Sequence, residues 1–598
     1  MFRGKKWAVL SVLLCVMLVF LSACGGGSKN ASDTGPSSAQ ASTGTGGDNG
    51  SASADPSKQP EVTLTVFSTL ANYAGEQTGW FAKLIKDKFN IKLNIIASNL
   101  AGGQQKIATM MASGDLGDIV VGLGGKDYTD AIKAGLLLDW TKDGLLDKYG
   151  QDIKKNAGDA LEANKKQYGG GTAIYGIGHN VGNGDGPSEG TDMTFGPMLR
   201  WDLYQKLGSP EIKTLDDYLT IVKKMQQMEP KSDSGKPTYG FSLWSDWDSD
   251  FAMNAKVTAQ MYGYEEGDSF NNIDLILTKA DEAKYQGLLD DDSYYMKGLE
   301  FFFKANQMGL LDPDSLTQKF SDVSNKYKDG QILFAQFPWV SNTYNTPEHT
   351  SAGKGFAYVP FSDEKIFSYG FSPYGGQRIW AIGAKTKYPE RVMQFLNWLY
   401  TPEGVEEANY GPKGLLWDLD QNGKPYLTDL GYKALPANDV PIPEQYGGGS
   451  FKDGVNQINN TTIALSMTNP ETGEPYDYTL WTSYLNHNPD PVTKSWRDAM
   501  GALTQKEYVV KHDLVVVQPA FFNGQAPAAE PSDIKQKHSE VGKVIKEYSW
   551  KMMFAKNENE FGSLKQQMID KAKGLGYDDV VKWEVDQYEQ TVGSALKK

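Results

Sequence analysis

Val62-Thr63-Leu64-Thr65-Val66-Phe67, then Trp80, Phe81, Leu84, Ile85 and Phe89, then Ile91-Lys92-Leu93-Asn94-Ile95-Ile96, decide how this chain folds. The first run is β-branched and alternates, which suits a strand. The next five apolar residues recur at helical spacing and put one apolar stripe on a helix. The third run is again a strand. Gln104 to Ser113 is predicted helical and closed by Gly114, Asp118-Ile119-Val120-Val121 is a short buried strand, and Tyr128 to Ala134 is a helix after a glycine-rich turn. Such alternation predicts an α/β sheet flanked by helices. Ligands of open α/β sheets bind beyond the carboxyl ends of the strands. Asn72, Tyr73, Lys126 and Asp127, in loops after the first and third strands, are therefore candidate site residues.

Upstream, Arg3, Lys5 and Lys6 precede an apolar run from Trp7 to Leu21 that ends in Leu21-Ser22-Ala23-Cys24. The run falls short of the roughly 20 residues that span a bilayer, and small residues precede the cleavage point, as in a secretory signal peptide covering residues 1–23. Leu-Ser-Ala-Cys resembles the lipobox of bacterial lipoproteins. The resemblance implies that the Cys24 thiol is acylated and becomes the new N-terminus, with two acyl chains sufficing for stable anchoring. The other cysteine, Cys15, lies within the signal peptide, so no disulfide is expected in the mature chain. Residues 24–60 hold no large apolar side chain and read as a disordered tether reaching roughly 30 to 35 Å.

The chain from residue 61 onward is too long for a single core and implies at least two domains. From about residue 200 helices dominate: Thr214 to Met228, Tyr294 to Met308, Glu390 to Leu399, Ser495 to Leu503 and Ile534 to Ala555. Short strands interrupt them at Gln331 to Phe337 and Arg378 to Gly383, and Phe561 to Lys598 reads as a helical hairpin broken around Gly574-Leu575-Gly576. Net charge is −15, or about −18 once Arg3, Lys5 and Lys6 are removed. An acidic chain without a basic patch argues against nucleic acid as partner.

Gln105-Lys106-Ile107-Ala108-Thr109-Met110-Met111-Ala112-Ser113-Gly114-Asp115-Leu116-Gly117-Asp118-Ile119-Val120 resembles the run leading into the third strand of the family 1 extracellular solute-binding proteins. Gly135 to Trp140, Leu199 to Gly208, Thr214 to Tyr218, Met308 to Asp314, Asp329-Gly330-Gln331, Tyr400 to Gly404 and Asn409 to Gly414 resemble that family's later motifs, in order. The likeness is to long, lipoprotein-type sugar-binding members from Gram-positive bacteria. It implies an α/β fold of two lobes of the periplasmic-binding-protein kind, joined by a hinge that closes on ligand, with a long helical C-terminal part. It also implies a monomer on the outer face of the cytoplasmic membrane that captures an oligosaccharide and delivers it to the permease subunits of an ABC importer. By the family's chain path, lobe one is 61–172 with 371–415, and lobe two is 173–370 with 416–598.

Fourteen tryptophans and thirty-one tyrosines supply aromatic planes on which sugar rings stack. Trp339 follows a strand where related maltose-binding proteins place a stacking tryptophan. Trp244 and Trp247 flank Asp246 in a loop after a strand, and Trp244 is taken as a candidate cleft residue. Tyr374, before Gly375-Gly376, and Trp417, after the Gly411–Gly414 turn, sit in loops that the family turns toward the cleft. Arg200 either binds ligand or braces a lobe through Asp202.

No cofactor is expected. Asp418, Asp420, Asn422 and Asp429 match the spacing of a calcium loop without its bidentate glutamate, and a β-hairpin turned at Asn422-Gly423 is the simpler reading. A polysaccharide hydrolase or lyase is the competing class, since paired carboxylates hydrolyse glycosides; a binder of peptide or another solute serving a sensor is the other. The sequence holds no G-x-S-x-G elbow, H-E-x-x-H or phosphate loop. His179, His349, His487, His512 and His538 show no metal-ligand spacing.

Overall fold

A computed structural model describes residues 55–98, 100, 103–183, 186–265, 273–435, 439–454, 457–487, 489–522 and 528–597. The signal peptide, Cys24 and the tether as far as residue 54 lie outside them. The Asp55 carboxylate accepts from Ser57 N and caps a short 3-10 turn, Pro56–Lys58. Residues 55–60, expected within the tether, are thus structured.

Strand β1 (Val62–Ser68) pairs in parallel with β3 (Ile91–Ala97) from Val62↔Ile91 to Ser68↔Ala97, and with β4 (Ile119–Leu123). The short β2 (Gly75–Glu76) runs antiparallel to β3 at one edge. The strand Ile379–Ile382 returns antiparallel between β4 and β5 (Gly176–Ile177). Sheet order is thus β2-β3-β1-β4-(379–382)-β5. Helix α1 (Gly79–Phe89) buries Trp80, Phe81, Leu84, Ile85 and Phe89, the whole expected stripe, and stops where Asn90 turns left-handed. Alternate strand residues divide between two layers. Leu64, Val66, Ile119 and Val121 join α1 on one face, while Phe67 and Val120 meet Ile107 of α2 (Gly103–Ser113) and Tyr128 of α3 (Gly125–Lys133) on the other.

A second core gathers Met193 to Phe367 with Val492 to Val580. At its centre lies a three-stranded antiparallel sheet, Phe334–Ala335 against Met198–Arg200 against Phe356–Tyr358. Long helices cover it, among them Tyr294–Gln307, Ser532–Met553, Glu558–Gly574 and Tyr577–Gln590. The strand expected over Gln331 to Phe337 shrinks to two residues. The helix expected from Thr214 starts at Asp217, whose carboxylate accepts from Lys213 N and Thr214 N and holds that stretch in a turn.

The chain crosses between the cores three times: after Val181, between Phe367 and Ile379, and between Trp481 and Val492. This redraws the expected lobes. Residues 416–484, expected in lobe two, bury Trp417, Ile442, Ile458, Ile463, Tyr476 and Trp481 in the first core, and Ile174 and Ile177 belong there too. Trp80 stacks on Phe451 at 6.2 Å, and Trp380 Nε1 donates to Thr461 O at 2.7 Å, so this segment is pinned to the first sheet. Among the described residues no helix is long and apolar enough to cross a membrane.

Candidate functional site

Two of the crossings run side by side. Gly182 N donates to Ser372 O and Gly376 N to His179 O, at 3.0 and 2.7 Å. The contact is backbone to backbone: a Cβ on Gly178 would stand 2.4 Å from Gly376 O, and one on Gly376 would strike the His179 ring at 2.5 Å. Gly375, at φ +71°, adopts a left-handed conformation that costs other residues strain. His179 stays neutral, since burial and then the nearby Arg378 charge lower its pKa to about 3.

Beside this crossing lies a cavity of about 300 Å³. The first core contributes Ala160, Ala163, Asn164 and Gln167 from the helix Gly158–Gln167, together with Tyr168, Gly178, Ser372, Tyr374 to Gln377 and Ile379. The second contributes Gln518 to Phe522, Gln587 and Gln590 to Val592. Asn164 is fixed in place, its Nδ2 donating to the Tyr128 hydroxyl at 2.8 Å and its Oδ1 accepting from Tyr175 N at 3.1 Å. Tyr128 in turn meets Tyr168 edge to face. The Tyr374 ring packs on that of Phe522, with 5.2 Å between centroids. Gln377 Oε1 accepts from Gly125 N at 3.4 Å, and Gln518 Nε2 donates to Glu265 at 2.7 Å. Among the described lining residues there is no Asp, Glu, Lys, Arg or His.

Of the residues proposed from sequence, only Tyr374 lines this cavity. Asn72 and Tyr73 follow β1, where Asn72 N donates to Gln457 O at 3.0 Å and the Tyr73 hydroxyl to Glu76 O at 3.1 Å. Asp127 opens α3, and partial burial raises its pKa against the nearby charges of Lys126 and of Lys535 from the second core. Trp339 is 43 % exposed and stacks 5.9 Å from Trp247, itself 46 % exposed; both rest on Phe320.

Three expectations are corrected. Trp244 is 2 % exposed and lies beneath Trp247, so it supports that pair from the core. Arg200 is fully buried; its Nε and Nη2 pair with Asp202 at 2.9 and 3.0 Å, Nη2 reaches Glu229 at 3.3 Å, and the guanidinium lies 4.5 Å over Tyr344. It braces the second core. Trp417 is buried, with Nε1 donating to Gly411 O and its ring against Trp481.

The sequence profile of the bacterial extracellular solute-binding proteins matches residues 80–415, more than half of the chain. The chain belongs to that family. No curated protein sequence matches it. Solved structures resemble this solute-binding protein along nearly its whole length. The alginate-binding protein AlgQ2 without calcium ion is 18 % identical, with a TM-score of 0.58, over 90 % of this chain and 99 % of that one. The Streptococcus pneumoniae ABC-transporter substrate-binding protein FusA in complex with kestose is 14 % identical (TM-score 0.56, 88 % and 99 %). An extracellular solute-binding protein from Bifidobacterium longum subsp. infantis is 15 % identical (0.56, 88 % and 98 %). At these identities the likeness establishes the fold of the solute-binding protein, two α/β lobes with a helical C-terminal region.

Most residues of the calcium candidate form a hairpin and its turn. Trp417–Leu419 and Pro425–Leu427 form a hairpin, and Asp420 Oδ1 accepts from Asn422 N and Lys424 N at 2.8 and 2.9 Å. Asp418 is engaged with Leu419 N, and Asp429 lies in the first turn of the helix Asp429–Ala434. Among the described residues no cluster of three or more His, Cys, Asp or Glu could hold a metal.

Sequence reasoning missed Gln167, Tyr168, Gln377, Phe522, Gln587 and the exposure of Trp247. The signal available was faint: Gln518-Pro519-Ala520-Phe521-Phe522 and Tyr374-Gly375-Gly376-Gln377 each set aromatic beside amide in a stretch without periodicity.

Proposed function

We propose that the protein is anchored through a lipid on Cys24 to the outer face of the cytoplasmic membrane of a Gram-positive bacterium. There, as a monomer, it captures an oligosaccharide and passes it unaltered to an ABC permease. The observation that carries this reading is the cavity beside the crossing strands, walled by both cores with aromatic rings and carboxamides. Sugar rings stack through their CH faces, and their hydroxyls need paired polar partners. Walls from two cores let hinge closure bury such a ligand. The structural relatives support a glycan: one is an alginate-binding protein and another was solved with kestose.

The test is thermal unfolding of the purified protein against a glycan panel. A ligand at about a hundred times its Kd adds about 2.7 kcal/mol. A stabilising glycan recovered intact by chromatography supports capture without chemistry. Stabilisation by peptides alone overturns the sugar, and consumption of the glycan makes the protein an enzyme. In cells, Cys24→Ser is expected to move the protein from the membrane fraction to the medium; retention at the membrane sinks the lipid anchor.

A further inference from the structure

We propose that the glycan held in this cavity is uncharged, and that carboxamides and aromatic rings select it over uronic-acid chains. This rests on the glycan-capture reading and narrows it to a ligand class.

The described lining is uncharged in a chain of which 22 % is Asp, Glu, Lys or Arg. A carboxylate taken out of water needs a cation or several N–H donors, because an unpaired buried charge is costly. Arginine, whose fork matches a carboxylate in bidentate fashion, is the residue that sites for such groups favour. The described walls provide none. Arg378 stands at the rim, where its charge acts on Tyr369 and on the neutral His179, and desolvation draws its own pKa down. Against it, the Glu265 carboxylate sits directly behind Gln518.

A carboxamide offers two donors and one acceptor oxygen, and a sugar hydroxyl is itself both donor and acceptor. Gln167, Gln377 and Gln587 can therefore satisfy hydroxyls in either sense without fixing a charge. The rings of Tyr374 and Phe522, packed on each other, add an apolar surface to the lining. Asn164 is spent on Tyr128 and Tyr175, which makes it a wall rather than a reader.

The experiment is calorimetric titration of the full protein with neutral gluco-, manno- and fructo-oligosaccharides and, separately, with oligouronates of matched length. The expected result is binding of a neutral chain, with affinity nearly constant from low salt to about 0.5 M, and no measurable oligouronate binding. Tyr374→Ala and Gln587→Ala should each weaken the neutral ligand about tenfold while leaving the melting temperature close to wild type. Oligouronate binding as tight as, or tighter than, neutral binding overturns this inference and leaves glycan capture standing. Neutral binding untouched by either substitution also overturns it, because the ligand then sits elsewhere. Binding by neither class removes the glycan reading itself, and this inference with it.

Discussion

Arg200 and Trp339 show how residues singled out by the same family motifs can serve opposite ends. Arg200 spends its guanidinium inside the second core on Asp202, Glu229 and Tyr344. Arg200→Ala strands Asp202, itself 8 % exposed, and a broken buried pair costs about 3–5 kcal/mol. The expected outcome is a marked loss of stability in denaturant titration, with the ligand affinity of the still-folded protein unchanged. A fall in affinity without a fall in stability would return Arg200 to the binding site. Trp339 behaves the other way. Its face is open, so Trp339→Ala should leave stability within about 1 kcal/mol, yet weaken a glycan that stacks there by about 0.5–1.5 kcal/mol; unchanged titration isotherms would exclude it from the site. At Asp420 the carboxylate already serves its own hairpin turn, so calcium addition and chelation should give superimposable melting curves. A calcium-dependent shift would contradict the hairpin assignment.

At the scale of elements, the C-terminal helices are latched through a buried cluster. His538, on the helix Ser532–Met553, has Nδ1 at 2.8 Å from Glu530 and Nε2 at 3.7 Å from both Asp250 and Glu584. Glu584, on the helix Tyr577–Gln590, accepts from the backbone N–H groups of Asp274 and Leu275. Burial pushes Glu584 up to about 8, with the His538 charge working against that rise. For His538 burial favours the neutral ring, but Glu584, Glu530 and Asp274 outweigh it and raise its pKa. Carboxylates outnumber the imidazole, so the fold keeps a proton that the unfolded chain releases. The contribution of Glu584 is thus full below its unfolded value of 4.5 and is lost as pH rises from there through about 8, while that of His538 is full below 6.5 and is lost as pH rises through its raised folded value, by up to about 1.4 kcal/mol per unit for one proton. His538→Gln should flatten that slope; an unaltered slope would place the proton elsewhere. Elements of this size were legible. The stripe of α1, the β1-β3-β4 strands and the hairpin broken at Gly576 all stand out in the sequence because periodicity and a left-handed glycine are local signals. The strand over Gln331 to Phe337 was overdrawn, since its apolar residues are buried without pairing along their length.

For the whole molecule, the two-lobed plan could be read from ordered motifs, whereas its boundaries could not. Residues 439–481 bury Ile442, Ile458, Ile463 and Trp481 in the first core with hardly any regular structure. No period marks them, and tertiary hydrogen bonds such as those from Trp80 and Trp380 tie them down. The cavity was hidden for the same reason, as its amides come from segments far apart in the chain. Three crossings, two of them in glycine contact, provide a hinge, so saturating ligand is expected to reduce the radius of gyration in small-angle scattering; an identical profile with and without ligand would mean a preclosed molecule.

The wall that the second core adds ends at Gln587 to Val592, more than four hundred residues after the helix that faces it. A ribosome adds roughly 5–20 residues per second, so on the order of half a minute separates the synthesis of one wall from that of the other. Throughout that interval the nascent chain carries only one of the two walls of the cavity.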